Sequence, residues 1–348
     1  MANQIDVGIL GATGTVGQQF VTALENHPWF RIAWIAASER SAGKRYVDAT
    51  PWRLDRAIPG AIADMEVQRC DPSGSPMLVF SGLDSSVAGS VESSFAVAGR
   101  TVVSNAKNYR MDSDVPLLIP EINADHLDLL QRQSETRAWP GKIVTNPNCS
   151  TIIMTLALAP LCQFGLERVM VTTLQAISGA GYPGVSSLDI LGNIVPHIPG
   201  EETKIELETQ KILGSLSAGI VQPHDVVVSA QATRVPVLNG HTVLISVKLT
   251  EQPTHEGIAD AFRSYHGRPQ VEGLPSAPKQ PIVYMSDPDR PQPRYDVNRE
   301  NGMAVTVGRL RKCPVLGYKF IALGHNTVRG AAGAAILNAE LMKVDNLL

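Results

Sequence analysis

Cys149 lies in the run Thr145-Asn146-Pro147-Asn148-Cys149-Ser150-Thr151-Ile152, which carries the clearest chemical signal in the chain. The β-branched residues 143–145 predict a short buried strand. Asn146-Pro147-Asn148 stops it, because proline and the residue before it both resist helix. Ser150-Thr151 then opens the apolar stretch 152–159, long enough for a helix. The Cys149 sulfur therefore falls at a helix N-terminus, where free N–H groups favour an anion. A thiol there is expected to ionise below its ordinary value of about 8.5. Flanked by Asn148 and Ser150, Cys149 is read as a nucleophile rather than an inert buried thiol.

A second signal stands near the start. Residues 5–10 form an apolar strand, and Gly11-Ala12-Thr13-Gly14-Thr15-Val16-Gly17 leads into a helix from residue 18. In that context Gly11 and Gly14 let the backbone approach a pyrophosphate seated on the helix N-terminus, with Thr13, Thr15 and Val16 around it. The next strand, 31–37, ends at Ser38-Glu39-Arg40-Ser41. A carboxylate there suits the ribose hydroxyl of NAD, whereas Ser38, Arg40 and Ser41, with Lys44 nearby, suit the 2′-phosphate of NADP. The cations outweigh Glu39, and the expected cofactor is NADP. Strands at 77–82 and 101–104 end in Ser81 and Ser104, small hydroxyl residues fitting a cofactor laid across the strand ends. Arg110, beyond the second of these, is a candidate anion clamp facing the Cys149 turn.

These residues need a scaffold. The 348 residues suffice for two cores. The first half alternates strand and helix, predicting an α/β domain with an N-terminal Rossmann-like parallel sheet over residues 1–148, its strands running on through 117–119. After the Cys149 helix come a long strand (169–177), a small-residue loop (178–184), a charged helix from Glu201 and β-rich runs at 226–237, 241–249 and 304–311. That grammar predicts a second α+β domain, 149–323, with a mixed or antiparallel sheet and helices on one face. An alanine- and glycine-rich helix over 328–342 is expected to return to the first domain, which residues 324–348 complete. A net charge of −3 gives no reason to expect nucleic acid or an acidic membrane surface. The four cysteines are scattered, with no Cys-x-x-Cys pair and no histidine ladder, which disfavours a disulfide scaffold or a structural zinc site. No apolar run reaches membrane-span length, and the start Met1-Ala2-Asn3-Gln4 lacks the regions of a signal peptide. The expectation is a soluble cytoplasmic protein.

The glycine turn, Asn146-Pro147-Asn148-Cys149-Ser150-Thr151, Gly200-Glu201-Glu202-Thr203-Lys204 and Gly240-His241-Thr242 occur in one order, and over nearly its whole length the chain resembles the aspartate-β-semialdehyde dehydrogenase family. Arg234-Val235-Pro236-Val237, ahead of Gly240-His241, is similar to the archaeal and fungal-type branch. The resemblance implies reduction of an acyl phosphate by NADPH through a cysteine thioester, in a homodimer or homotetramer. It implies Cys149 as the acylated nucleophile, His241 as general acid/base and Gln175 as a residue orienting the acyl group. Arg234 would hold the substrate carboxylate and Glu201 its amino group, with Arg110, Asn148 and Lys204 as the phosphate subsite. Thr13 to Val16, Arg40, Ser41, Ser178, Gly179 and Asn326 would line the NADP site. Hydride can leave only a tetrahedral adduct on sulfur, and an imidazole with an ordinary pKa of about 6.5 can manage its proton. Two other readings stay open: an acyl-CoA reductase of the same branch, and a non-catalytic NADP-binding redox sensor.

Overall fold

In the computed structural model, which describes residues 4–348, the strands form two six-stranded sheets and one small hairpin. Residues 1–3 of the start discussed above lie outside the described residues. The first sheet comprises β1 (Ile5–Leu10), β2 (Phe30–Ala37), β3 (Gln68–Arg69), β4 (Leu78–Ser81), β5 (Thr101–Ser104) and β6 (Lys142–Thr145). All its pairings are parallel, in the order β3-β2-β1-β4-β5-β6. β4 and β5 are buried along their whole length, as strands covered by helices on both faces must be. The chain reverses its order of strand addition between β1 and β4, and the crevice beyond their carboxyl ends is the place where such sheets bind ligands. The backbone there is tight: Gly11 has φ +74°, and a Cβ on it would meet the Gly82 carbonyl oxygen at 2.9 Å.

Residues 117–119 do not extend this sheet. Leu117 makes only an isolated bridge to Thr145, because Pro116 and Pro120 flank the segment and supply no N–H for a ladder.

The remaining strands are β7 (Leu166–Gln175), the hairpin β8 (Ser215–Ser217) and β9 (Ile220–Gln222), β10 (Val227–Arg234), β11 (His241–Leu249), β12 (Ile282–Met285), β13 (Val305–Cys313) and β14 (Gly317–Gly324). Six of them form a mixed sheet in the order β10-β7-β11-β14-β13-β12, with β10/β7 and β12/β13 parallel and the other pairs antiparallel. The longer helices are α1 (Thr15–Ala23), α2 (Ser85–Val97), α3 (Cys149–Leu158), α4 (Glu201–Leu213), α5 (His255–Arg263) and α6 (Gly333–Val344). One face of the mixed sheet buries Val243, Ile245, Val247 and Phe320 against Ile152, Ile153 and Leu156 of α3 and Phe262 of α5. On the other face Met170 and Leu244 remain exposed. They border a shallow concavity of about 370 Å³ with Arg309, Arg311 and Lys319.

α6 packs into the core of the first sheet through Ile336, Leu337, Leu341 and Met342. The single helix read over 328–342 begins instead as a π turn, Val328–Ala332. That turn carries Arg329, fully buried, whose Nη1 and Nη2 donate to the two Glu121 carboxylate oxygens at 2.6 and 2.7 Å. Removing one partner of a buried pair leaves an uncompensated charge. Glu121→Ala is therefore expected to destabilise the protein by about 3–5 kcal/mol. Denaturant unfolding checks this, and a midpoint unchanged from wild type would show that Arg329 finds another partner or water.

Candidate active site

Three neighbouring strands of the mixed sheet end side by side. The register pairs Arg234, last in β10, with Gln175, last in β7. It pairs Thr242 of β11 with Leu174, so His241 begins β11 beside Gln175. α3 follows β6 directly and brings Cys149 from the edge of the parallel sheet onto these strand ends. Asn148 caps α3: its Oδ1 accepts from the amides of Ser150 and Thr151 at 2.9 and 3.1 Å. Cys149 Sγ lies 3.2 Å from His241 Nε2. On the far side of the ring, His241 Nδ1 accepts from the Ala176 amide at 3.0 Å, and the Ala176 carbonyl accepts from Arg234 Nη1 at 2.7 Å. Gly179 closes over both side chains; a Cβ there would sit 2.9 Å from Arg234 Nη1 and from His241 Cε1.

Glu201, at the start of α4, joins the remaining polar groups. Its Oε1 accepts from Asn148 Nδ2 at 2.8 Å and Gln175 Nε2 at 3.0 Å, and its Oε2 from Lys204 Nζ at 3.1 Å. One turn pair further along, Glu208 accepts from Arg110 Nη1 at 2.9 Å and from the Asn148 amide at 2.7 Å.

Cys149 and Asn148 form the inner end of a cleft of about 960 Å³ that runs across the strand ends of the parallel sheet. Gly11, Thr13, Gly14, Thr15 and Val16 line its middle, Ser38, Arg40, Ser41 and Lys44 its outer end, and Arg110, Ser178, Gly179 and Asn326 its inner wall. Glu39 instead lines a separate acidic groove with Glu66 and Asp71. Ser81, expected in the cofactor site, is fully buried and does not reach the cleft. It belongs to a strand covered on both faces, and the reach falls to the following residue, Gly82. Asn326 binds both sides of the inner wall, donating to Ser178 Oγ at 2.8 Å and accepting from the Gly240 amide at 2.9 Å.

Residues 6–130 match the model of the semialdehyde dehydrogenase NAD-binding domain, and residues 158–329 that of the semialdehyde dehydrogenase dimerisation domain. The chain is 49% identical to aspartate-semialdehyde dehydrogenase of Archaeoglobus fulgidus, over 98% of this chain and 99% of that one. It is 53% identical to the Schizosaccharomyces pombe enzyme of that name, over 96% and 97% respectively. The crystal structure of aspartate-semialdehyde dehydrogenase with NADP from Candida albicans superposes with a TM-score of 0.91 at 45% identity, covering 99% of this chain and all of that one. The chain belongs to the aspartate-semialdehyde dehydrogenase family.

For a member of that family, three features of the site differ from what the sequence led one to expect. The Cys149 thiol is not depressed. Burial pushes it up to about 12, and Glu201 adds to this, against Arg234, Arg110 and Lys204. Desolvation outweighs the helix terminus. Burial, and then Arg234, push the His241 imidazole down to about 3, so thiol and imidazole rest as a neutral pair. Second, Glu201 and Lys204, expected at the substrate's amino group and phosphate, are ion-paired with each other at 3.1 Å. Glu201 is buried, and although burial alone would raise its carboxyl, Lys204, Asn148 and Gln175 hold it below the ordinary value. Both its oxygens have protein partners, Oε1 two and Oε2 one, which leaves acceptor capacity on the carboxylate. Third, Arg110 is not a free cation but is ion-paired with Glu208, while its buried Nε has no protein partner.

Sequence reasoning missed Glu208, Lys211 and Ala176. Lys211 Nζ donates to the carbonyls of Arg110, Asp112 and Val115 at 2.7–2.8 Å. Burial lowers its ammonium to about 8. The available signal was the spacing 201, 204, 208, 211, which is one face of a helix. Ala176 carried no signal, because it acts through its peptide group alone.

At neutral pH the ligand-free thiol of Cys149 is expected to alkylate slowly. The Cys313 thiol, raised by burial but lowered by the amides of Leu316 and Val315 together with Ser246 and Lys319, lies below its ordinary value. Iodoacetamide followed by peptide mass spectrometry should therefore label Cys313 first. Labelling of Cys149 should rise about tenfold per pH unit between pH 7 and 9, since the thiolate is the reacting form. Faster labelling of Cys149 than Cys313 at pH 7 would mean that the thiol is ionised at rest.

Proposed function

We propose that this chain catalyses the reversible NADP-dependent reductive dephosphorylation of L-4-aspartyl phosphate to L-aspartate 4-semialdehyde, a step toward lysine, threonine and methionine. The observation that carries the reading is the contact between Cys149 Sγ and His241 Nε2 at the inner end of a cleft that starts at the glycine turn. The reading treats residues 1–148 with 324–348 as the nucleotide-binding domain and 149–323 as the catalytic and dimerisation domain.

The cleft fits a phosphorylated dinucleotide. Gly14, at the N-cap of α1, makes no side-chain cap, which leaves the first amides of a nine-residue helix for a pyrophosphate. Ser38, Arg40, Ser41 and Lys44 supply hydroxyls and cations at the outer end, and Glu39 faces elsewhere, which favours a 2′-phosphate over a bare ribose. Bound there, the dihydronicotinamide supplies the hydride. Ser178, Gly179 and Asn326 shape the wall between that site and Cys149.

Cys149 takes the acyl group as a thioester, displacing phosphate. The unpartnered Nε of Arg110, together with Asn148 and Lys204, supports an anion subsite beside the sulfur. Arg234 binds the α-carboxylate of the substrate: Nη1 is held by Ala176, and among the described residues its other donors have no protein partner. Glu201 keeps Gln175 and Asn148 oriented and supplies negative charge toward the ammonium, and Gln175 orients the acyl group. Among the described residues there is no cluster of side chains able to hold a metal ion and no helix long and apolar enough to cross a membrane. The open face of the mixed sheet supports a homodimer or homotetramer. Four free thiols support a reducing, cytoplasmic location.

Reduction of NADP⁺ by aspartate semialdehyde, followed by absorbance, should require phosphate; activity with CoA in place of phosphate would overturn the acyl-phosphate substrate. Cys149→Ala should abolish hydride transfer while NADP binding, measured by calorimetry, stays within about twofold. Near-normal turnover would remove Cys149 from its role. Arg234→Lys should lower kcat/KM for aspartate semialdehyde on the order of 10- to 100-fold, because a point charge does not replace a bidentate fork. Unchanged kinetics would place the carboxylate elsewhere.

A further inference from the structure

We propose that Gly330 is a positioning residue: the bare main chain of the π turn backs Cys149 on one side and walls the cofactor cleft on the other. It thereby sets the separation between the sulfur and the dihydronicotinamide. That last step rests on the reading of the site as an NADP-dependent acyl-phosphate reductase.

The turn Val328–Ala332 is wound wider than an α-helix. The Gly330 amide donates to the His325 carbonyl at 2.9 Å and the Ala332 amide to the Thr327 carbonyl at 3.2 Å, each one residue further back than the α pattern. This brings the main chain at Gly330 onto the start of α3. A Cβ on Gly330 would lie 2.6 Å from Cys149 Cβ and 3.1 Å from its Cα. Non-bonded carbons rest roughly 3.5–4.0 Å apart, so a methyl there would force a movement of about 1 Å. Gly330 does not have a positive φ, so its backbone conformation admits any residue. The requirement for glycine comes from the nucleophile.

The turn has little room to retreat. Arg329, on one side of Gly330, is fully buried and donates to both Glu121 oxygens at 2.6 and 2.7 Å. On the other side, the Ala331 carbonyl accepts from Asn146 Nδ2 at 3.2 Å. Thr327 Oγ1 accepts from Gln19 Nε2, on α1, at 3.2 Å. Asn146 belongs to the turn that ends at Cys149, so the π turn and the start of α3 are tied together beside their contact. With both neighbours pinned, bulk added at Gly330 falls on Cys149 and moves its sulfur from the place 3.2 Å from His241 Nε2.

The same turn faces the cleft. Thr327, Gly330 and Ala331 line its inner end with Cys149 and Asn326. Hydride passes between the carbon held on the sulfur and the dihydronicotinamide bound in that cleft. The step needs the two in contact, and a misplacement of about 1 Å costs on the order of 10² in rate. Sulfur and cofactor are placed from one support, a strip of main chain without a side chain.

The test compares Gly330→Ala with Gly333→Ala. A Cβ on Gly333 would meet the Sδ of Met303 at 2.5 Å, in a flexible side chain that can give way. Gly330→Ala should lower kcat for aspartate semialdehyde about 10²-fold, with KM within about threefold and NADP binding by calorimetry within about twofold. The isotope effect from deuterium at the aldehyde carbon should rise above that of wild type, because hydride transfer becomes the slow step. Gly333→Ala should keep kcat within about twofold. Near-normal kcat in Gly330→Ala, an unchanged isotope effect, a loss confined to NADP affinity, or equal losses in the two variants would overturn the proposal. In a crystal structure of ligand-free Gly330→Ala, Cys149 Sγ should be displaced by about 0.5 Å or more. A sulfur left in place beside a turn that has moved would overturn it too. Should Gly330→Ala not fold, the wild-type chain decides, labelled with ¹³C in glycine and cysteine. A nuclear Overhauser contact between the Gly330 Hα and Cys149 Hβ protons is expected, the cysteine signal being the one missing in Cys149→Ser; its absence would sink the proposal. The measurements on ligand-free protein need no turnover, so failure of the assigned reaction is distinguishable from failure of this contact.

Discussion

Two carboxylates on one face of α4 hold the catalytic end of this molecule together. Glu201 binds Asn148, Gln175 and Lys204; Glu208 binds Arg110 and the Asn148 amide. Both are buried, and a buried carboxylate persists only when its lone pairs are filled. The requirement runs outward from there. Asn148 must cap α3 with its oxygen because its nitrogen is taken by Glu201, and that orientation starts the helix at Cys149. Arg110 belongs to the parallel-sheet half and Glu208 to the other, so the ion pair fastens the two halves at the cleft. Lys211 repeats the arrangement one turn on, gripping the backbone after Arg110.

Enclosure has an electrostatic consequence. Cys149 stands partly buried at the inner end of the cleft and His241 is fully buried, and both prefer their neutral forms. The cations nearby do not overcome this while the cleft holds no acyl donor. Reactivity is thus tied to what arrives: an anionic substrate is drawn to the positive side of the site, and the sulfur is needed as a nucleophile only when a leaving group stands beside it. A thiol kept neutral at rest is also protected from adventitious oxidation, which proceeds through the thiolate.

The same low dielectric makes backbone dipoles effective. The Ala176 peptide touches an imidazole on one side and a guanidinium on the other, in a region without solvent to compete. Gly179 must lack a side chain for those two groups to approach the loop so closely. The inner wall of the cleft is therefore assembled mainly from main chain.

Much of this was legible in the order of residues. Strand, glycine turn and helix at residues 5–23 obey local rules, since a tight turn demands glycine and an apolar run of that length demands a sheet interior. The turn before Cys149 is equally local: proline stops a strand and Asn148 caps a helix. The mixed sheet followed from long β-rich runs with few crossovers between them, and the return of α6 from its density of small residues. What the sequence could not decide is which charged residues lie inside. The spacing of Glu201, Lys204, Glu208 and Lys211 describes a solvated face as well as a buried one, and only the docking of α4 against β10 and the Cys149 turn selects the second. The ionisation of Cys149 failed for the same reason, because a helix terminus is a local feature whereas desolvation depends on everything packed around it. Ser81 was misplaced since a strand end does not announce which of its last residues faces the crevice. Sequence determined the elements and the chemical types at their ends; tertiary structure decided their protonation and their partners, because both depend on dielectric and distance, which exist only once the chain is folded.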